Sequence, residues 1–463
     1  MQYHVVVLGG GPGGYVAAIR AAQLGMTVAL VEKDKLGGTC LNQGCIPTKA
    51  LAASAGLLTK IRRAGEFGIE VTGVRVDFAK LMERKNQVIE RLTAGINILL
   101  QKNKVHYIQG KGAILAVGLV GVTLPDGTFQ ELQADNIILA TGSSPAVTPG
   151  WGYDGQKVIT SNEVLELSSV PLRMLIVGGG IIGCEFASIF ASLGSRVTVV
   201  EMMAGILPAM DREVSQQMAG LFRRQGIQIK TRTRIKEIRQ NDGAATAYLE
   251  DGEQIEAEVI LLAAGRFLNC ANLGLETVGI SLGCKGEILV NEYMETSVPG
   301  IFAVGDITGR AQLAHVASAQ ALAAVDRIAG KARRINYEAV PACIFTNPEI
   351  GVVGLTAEAA KQREFSVKTT KFPLVASGRA QAMGETSGFV KIISDVHSGR
   401  ILGVHIVGAH ASDLIAEASV AIAHNLTVSQ LAQVIHAHPT LAEAVLEAAE
   451  GALGISIHGA TCS

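Results

Sequence analysis

Aromatic residues are scarce in this chain, 4% of 463 positions with a single tryptophan, and neither sign of charge dominates: 40 Lys and Arg stand against 41 Asp and Glu, a formal net charge of -1. With no basic tract and no basic stripe interleaved with aromatics, nucleic acid is excluded as an expected partner. The seven cysteines are odd in number and irregular in spacing, which excludes the disulfide framework of a small secreted domain. No charged segment followed by an apolar one precedes the strand-like run at 4–8, so no secretory leader is read and a cytoplasmic location is expected. Mean hydropathy is high, +0.33, yet the most apolar stretch, 174–194, contains Glu185 and repeated glycines. It reads as a buried strand, turn and helix, and no membrane contact is expected.

Apolar residues, 48% of the chain, and glycine, at 53 positions, are abundant. The length allows about three domains, each with its own core. The run VVVLGGGPGG is apolar and β-rich and leads into GxGxxG at Gly9, Gly11 and Gly14; a helical stretch and the strand TVALVE, ending at Glu32, follow. That order makes a dinucleotide-binding βαβ motif. The first glycine permits the tight turn, the second lets a pyrophosphate approach the backbone, and the third lets helix pack close on strand. The helix N-terminus then faces the phosphates. The pattern returns in MLIVGGGIIG, with Gly178, Gly180, Gly183 and a strand ending at Glu201, every position 169 residues further on. Two bound dinucleotides are expected.

The segment GGTCLNQGCIPTKA, residues 37–50, holds Cys40 and Cys45, the one close pair of cysteines. Five residues of ideal α-helix rise ~7.5 Å, beyond the roughly 4.4–6.8 Å between Cα atoms that a disulfide accepts. The turn is therefore expected to be distorted, with Gly44 and Pro47 as the means. A redox-active disulfide is expected, since strain makes such a bond easier to reduce. It needs a two-electron partner beside it, so a flavin, FAD, is assigned to the first nucleotide motif, which the pair directly follows. The second motif then takes the nicotinamide nucleotide. Glu201 followed by Met202 and Met203 favours NAD, because a carboxylate accepts the ribose 2′-hydroxyl and repels a 2′-phosphate; the next arginine is Arg212. Cys184, Cys270, Cys284 and Cys343 read as ordinary core or loop residues, and Cys462 is left unassigned. No metal site is expected.

In chain order, GGGPGG, GGTCLNQGCIPTKA, ATGSSP at 140–145, GGGIIG, AAGR at 263–266, IFAVGD at 301–306, FTNPEIGVVG and HAHPTLAE at 436–443 resemble the flavoprotein disulfide reductases nearly end to end, and within them the dihydrolipoamide dehydrogenase branch. The resemblance implies an α/β fold with two Rossmann-like domains, FAD-binding over 1–148 and NAD-binding over 149–268. It further implies a central domain over 269–335 that completes the flavin site, and a C-terminal α+β interface domain over 336–463 that makes a homodimer. Composition by itself supports only the first boundary, through the turn-rich AVTPGWGYDG at 146–155. The implied activity is oxidation of protein-bound dihydrolipoamide by NAD+ through non-covalent FAD, with a lipoyl-bearing protein or the core of a 2-oxo acid dehydrogenase complex as partner.

On the same resemblance, Cys40 is the thiol that exchanges with substrate and Cys45 the thiol beside the flavin. Lys49, one helical turn past Cys45, stabilises a Cys45 thiolate and the reduced flavin. It pairs with Glu185, a carboxylate in the apolar run IIGCEFASIF that is costly to leave unpaired. The substrate thiols need a base, and HAHPT offers His438. Pro439 suits the first position of a helix and holds His438 extended before it; Glu443, one turn into that helix, reaches back to fix the imidazole tautomer. His438 is expected to act from the other subunit, with His436 behind it. Further flavin contacts are implied at Glu32, Lys33, Gly38, Thr39, Gly112, Thr141, Gly142, Ser143, Asp306 and Ala314, and NAD contacts at Ile235 and Gly265.

The family reads GRxPN where this chain has GRFLN at 265–269, and the lost proline is expected to loosen that connection. A mercuric reductase wants two adjacent cysteines near the C-terminus, where this chain has GATCS. A glutathione reductase wants an NADP site, which Glu201 opposes. A third alternative, a non-catalytic docking subunit, has no need of Cys40, Cys45, His438 and Glu443 together. No lipoyl domain precedes the first motif, so the lipoyl group is expected to arrive on a partner or as a free cofactor.

Overall fold

A computed structural model describes residues 2–241 and 243–459; Cys462 lies outside them. The chain divides into two units, the first made of the segments up to 50, 79–146 and 265–335, the second of 51–78, 147–264 and everything from 336 on.

The first unit is built on a seven-stranded sheet in the order His106–Gln109, Val28–Glu32, Gln2–Leu8, Phe129–Leu139, Leu119–Thr123, Lys111–Ala116, with Ile301–Ala303 also paired to Phe129–Leu139. Gln2–Leu8 is parallel to both neighbours, and Val5, Val6 and Val7 are fully buried, as a strand covered on both faces requires. The helix Pro12–Gln23 makes the crossover and buries Ala17, Ala18 and Ala21, side chains small enough for close approach to the sheet. Gly14 is obligatory there, since a Cβ would stand 1.7 Å from the Gly9 carbonyl oxygen.

The second unit repeats this plan in a parallel sheet ordered Gln228–Lys230, Arg196–Val200, Arg173–Val177, Val259–Leu262, Val158–Ile159. The helix Ile181–Leu193 crosses after the glycine loop, and a Cβ at Gly183 would meet the Gly178 oxygen at 2.0 Å. An antiparallel ribbon, Ile235–Asn241, Ala244–Leu249 and Gln254–Ala257, branches off. The remainder carries a five-stranded antiparallel sheet, Ala342–Ile344, Glu349–Gly354, Ile401–Gly408, Phe389–Asp395, Val367–Pro373. Ile415, Ala418 and Ile422 of one helix and Ala444, Val445 and Ala448 of another complete its core. Inside this unit Lys391 and Asp211, both buried, form an ion pair at 2.9 Å, and Lys391 reaches Glu213 at the same distance. Two Rossmann-like sheets and an α+β C-terminal region are the architecture expected. No helix of the described residues is long and apolar enough to cross a membrane.

The loosening expected of the missing proline is not found. Arg266–Leu268 is a strand antiparallel to Ser143–Pro145, with Leu268 opposite Ser143. Asn269 donates its backbone N–H to the Gly142 carbonyl at 3.0 Å and its side-chain amide to that of Thr141 at 2.9 Å. Leucine lets the ladder run where proline would interrupt it.

Candidate active site

In the first unit Gly37, left-handed at φ +93°, opens a short helix, Gly38–Asn42, and a second helix, Cys45–Arg62, begins three residues later. Gly44 sits in the break, where a Cβ would lie 2.9 Å from the Thr39 carbonyl oxygen. Cys40 therefore belongs to one helix and Cys45 opens the next, which brings the two thiols into a hydrogen bond. Both are thiols, Cys40 half-buried and Cys45 exposed. Pro47, expected to help distort the turn, instead rides in the first turn of the second helix, where its missing N–H costs nothing. Lys49 follows one turn after Cys45, as expected. The hydrogen bond with Cys45 and then burial push the Cys40 thiol above its ordinary range, against the opposing pull of Lys49. A pair that shares a proton titrates as a unit.

The glycine motifs make two matching cradles. Glu32 is buried, with Oε2 accepting the Gly10 N–H at 2.6 Å and Oε1 the Asp34 N–H at 2.8 Å. Glu201, equally buried, accepts the Gly179 and Met203 N–H groups, each at 2.7 Å. The two helices that follow start at Gly11 and Gly180 without any side-chain cap, and nothing lies within 4 Å of a Cβ built on Gly180. Uncapped N–H donors opening beside a carboxylate fixed at a strand end fit the pyrophosphate and ribose of a dinucleotide. Gly38, left-handed at φ +54°, packs so closely on the first loop that a Cβ would stand 2.7 Å from the Gly11 Cα. Thr39, the next residue, is exposed, as is Lys33. Gly112 lies on Lys111–Ala116 with Leu8 where a side chain would be, and Ala314 opens the helix Ala314–Ile328. Ile235 begins the antiparallel ribbon of the second unit.

Thr141 donates its hydroxyl to the Asn269 carbonyl at 2.8 Å, and Gly142 is left-handed at φ +69°. Ser143 donates its own to Asp306 Oδ2. Arg266, next to Gly265, donates to Ser143 from Nε and Nη2; the sequence reading did not single it out, although the AAGR motif ends on it. Glu185 in the second unit is buried and accepts the Phe345 N–H at 2.9 Å, while Ser188 accepts that of Asn347 at 3.0 Å. The FTNPEIGVVG segment is thereby anchored on the helix Ile181–Leu193.

The histidine segment departs from expectation in detail. Pro439 does not open a helix: the His438–Pro439 peptide is cis and the helix begins at Glu443. The Thr440 hydroxyl closes a turn on the Ala437 carbonyl at 2.7 Å, and its N–H donates to Glu443 Oε2 at 2.7 Å. That turn, which the sequence does not advertise, carries the chain to the helix. Glu443 still meets His438, Oε1 to Nδ1 at 2.7 Å, and among the described residues none bonds Nε2. His436 is held by Glu417 at 2.8 Å and by the Val434 carbonyl at 2.9 Å. Burial alone would raise the Glu443 carboxyl, but the Thr440 N–H and the His438 ring outweigh it and hold it below the ordinary range.

Residues 3–321 match the pyridine nucleotide-disulphide oxidoreductase profile, and 340–449 match the dimerisation domain of the same family. The chain belongs to that family. It is 43% identical to the dihydrolipoyl dehydrogenase of Chlamydia trachomatis, over 98% of each chain, and 43% identical to that of Bacillus subtilis, over 99% of each. Among solved structures it is similar to LpdA from Mycobacterium tuberculosis, with a TM-score of 0.92 and 31% identity over 97% of this chain and 99% of the other. As a pyridine nucleotide-disulphide oxidoreductase, the protein carries both the nucleotide-binding and the dimerisation parts of the family.

Proposed function

We propose that the protein is a dihydrolipoyl dehydrogenase, oxidising protein-bound dihydrolipoamide to lipoamide and reducing NAD+ to NADH as the flavoprotein component of a cytoplasmic 2-oxo acid dehydrogenase complex. The observation that carries this reading is the adjacent Cys40 and Cys45 thiols in a chain similar from end to end to dihydrolipoyl dehydrogenases. FAD is held non-covalently by Gly9, Gly11, Gly14, Glu32, Gly38, Thr39 and Asp306, and NAD by Gly178, Gly180, Gly183 and Glu201. When bound, FAD supplies the two-electron passage between thiols and nicotinamide.

The residues do the rest. His438 takes the proton of one substrate thiol on Nε2, because Glu443 occupies Nδ1. The thiolate attacks Cys40 of the closed disulfide, the Cys40–Cys45 bond breaks, and Cys45 leaves as thiolate beside Lys49. The second substrate thiol displaces Cys40, which keeps a proton, and the lipoyl disulfide closes. The electron pair left on the cysteines passes to NAD+, the Cys40–Cys45 bond forms again, and one proton is released per NADH. The homodimer is the working unit, with His438 serving the cysteines of the second subunit.

Anaerobic titration of the flavin-loaded protein with dihydrolipoamide tests this. The expected result is a long-wavelength band from a thiolate beside the flavin, discharged to NADH when NAD+ is added. No reduction by dihydrolipoamide, with rapid reduction by NADPH, would overturn it.

A further inference from the structure

Arg266 has no role in the steps above, yet its geometry is specific. It opens the strand that pairs with Ser143–Pro145 and holds Ser143 twice, Nε donating to the hydroxyl at 2.7 Å and Nη2 to the carbonyl at 2.7 Å. A guanidinium only donates. The Ser143 hydroxyl therefore receives a hydrogen from Arg266, and its own proton goes on to Asp306 Oδ2. The relay from Arg266 through Ser143 to Asp306 has one direction, set from the arginine end. Ser143 is 2% exposed, so water does not compete for either bond.

The relay ends beside the cysteine pair. Asp306 acts electrostatically on Cys40, and Arg266 on both Asp306 and Cys45. The charged groups facing the pair are thus Lys49 from its own helix, Asp306 from the turn 306–308 and Arg266 from the strand Arg266–Leu268, with Tyr15 of the helix Pro12–Gln23 as a further titratable neighbour. With the disulfide closed, two cations face one carboxylate. When Cys45 becomes a thiolate, the charges of these groups of one subunit balance, and the imidazolium of His438 of the partner subunit comes in addition to them.

We propose that Arg266 is a positioning residue of the redox site, orienting the Ser143–Asp306 hydrogen bond toward the flavin and supplying the fixed charge that holds the Cys45 thiolate. This rests on the function argued above and adds to it a determinant in the AAGR motif.

The test compares wild type, Arg266→Met, Arg266→Gln, Arg266→Lys and Ser143→Ala as flavin-loaded homodimers, reading the pH at which the long-wavelength band reaches half its height after two-electron reduction. Loss of a positive charge that acts on Cys45 is expected to raise that midpoint by up to about one pH unit in the Met and Gln variants. Arg266→Lys and Ser143→Ala keep the charge and are expected to keep the midpoint, while releasing flavin more readily on dilution because the relay is broken. An unshifted midpoint in either neutral variant overturns the proposal. Loss of flavin from both neutral variants while Ser143→Ala and Arg266→Lys hold it as firmly as wild type also overturns it, because the arginine then acts otherwise than through Ser143. The band is generated with NADH as well as with dihydrolipoamide, so failure of dihydrolipoamide to reduce wild type refutes the substrate and leaves the Arg266 measurement intact.

Discussion

Replacing Glu443 by glutamine separates what its two oxygens do. Oε1 accepts a hydrogen bond from His438 Nδ1 and Oε2 one from the Thr440 N–H, both at 2.7 Å. Glutamine preserves volume, and its carbonyl still accepts from Nδ1, so the imidazole keeps its tautomer. The charge is lost. A charge-assisted hydrogen bond contributes ~1.5–3 kcal/mol against ~0.5–1.5 for a neutral one. The difference between the two is about 1 kcal/mol. The amide nitrogen of the replacement then faces the Thr440 N–H, donor against donor, and the repulsion or the shift that relieves it costs about 1 kcal/mol more. Together, about 2 kcal/mol predicts roughly a 30-fold fall in kcat/KM for dihydrolipoamide, whereas His438→Gln, which removes the base, is expected to cost on the order of 100- to 10,000-fold. The assay is steady-state lipoamide turnover with saturating NAD+, beside NADH oxidation by an artificial one-electron acceptor, which needs no base and is expected to stay unchanged. Turnover of Glu443→Gln within twofold of wild type, flavin fully bound, would refute the reasoning. The pH sense also follows. Because the folded carboxyl lies below its ordinary range, its contribution is complete above the ordinary range and is lost only as pH falls through the depressed value.

Gly180→Ala is expected to fold and bind flavin normally but to raise the KM for NAD+, since its methyl enters space where no protein atom lies within 4 Å; Gly183→Ala, with its methyl 2.0 Å from the Gly178 oxygen, is expected to lower stability outright. Thermal melts and KM values distinguish the two, and an unchanged KM in Gly180→Ala would count against the pyrophosphate site. Lys391→Met leaves buried Asp211 without its cation, while Glu213 keeps Lys371, and is expected to cost ~3–5 kcal/mol. Adding Asp211→Asn, which keeps an acceptor for the helix cap, is expected to recover part of that. A denaturant midpoint unmoved by Lys391→Met would show that the pair contributes nothing.

Both nucleotide cradles were legible in the chain because each is local: a strand, a glycine turn, a helix and an acid within about two dozen residues, where spacing dictates geometry. The cysteine pair was legible for the same reason, since five residues cannot form both an ideal helix and a disulfide. Its means were only half legible. Gly44 makes the break, but Pro47 falls in a first turn that tolerates it. At His438 the partner Glu443 was read correctly and the path to it was not, because the turn at 437–440 is closed by a hydroxyl and an N–H of Thr440, a residue type compatible with many conformations.

Sequence by itself determined the family, the two strand–glycine–helix motifs, the close cysteine pair and the segment in which His438 meets Glu443, all of them short enough for neighbouring residues to fix their shape. Tertiary structure alone decided which distant groups complete them. Arg266 reaches Ser143 across 123 positions and Ser143 reaches Asp306 across 163. Glu185 finds the Phe345 N–H 160 positions away, and Asp211 finds Lys391 180 away. Such pairings depend on which sheet edges and helix ends the folded chain brings together, and no periodicity or spacing around either partner specifies the other.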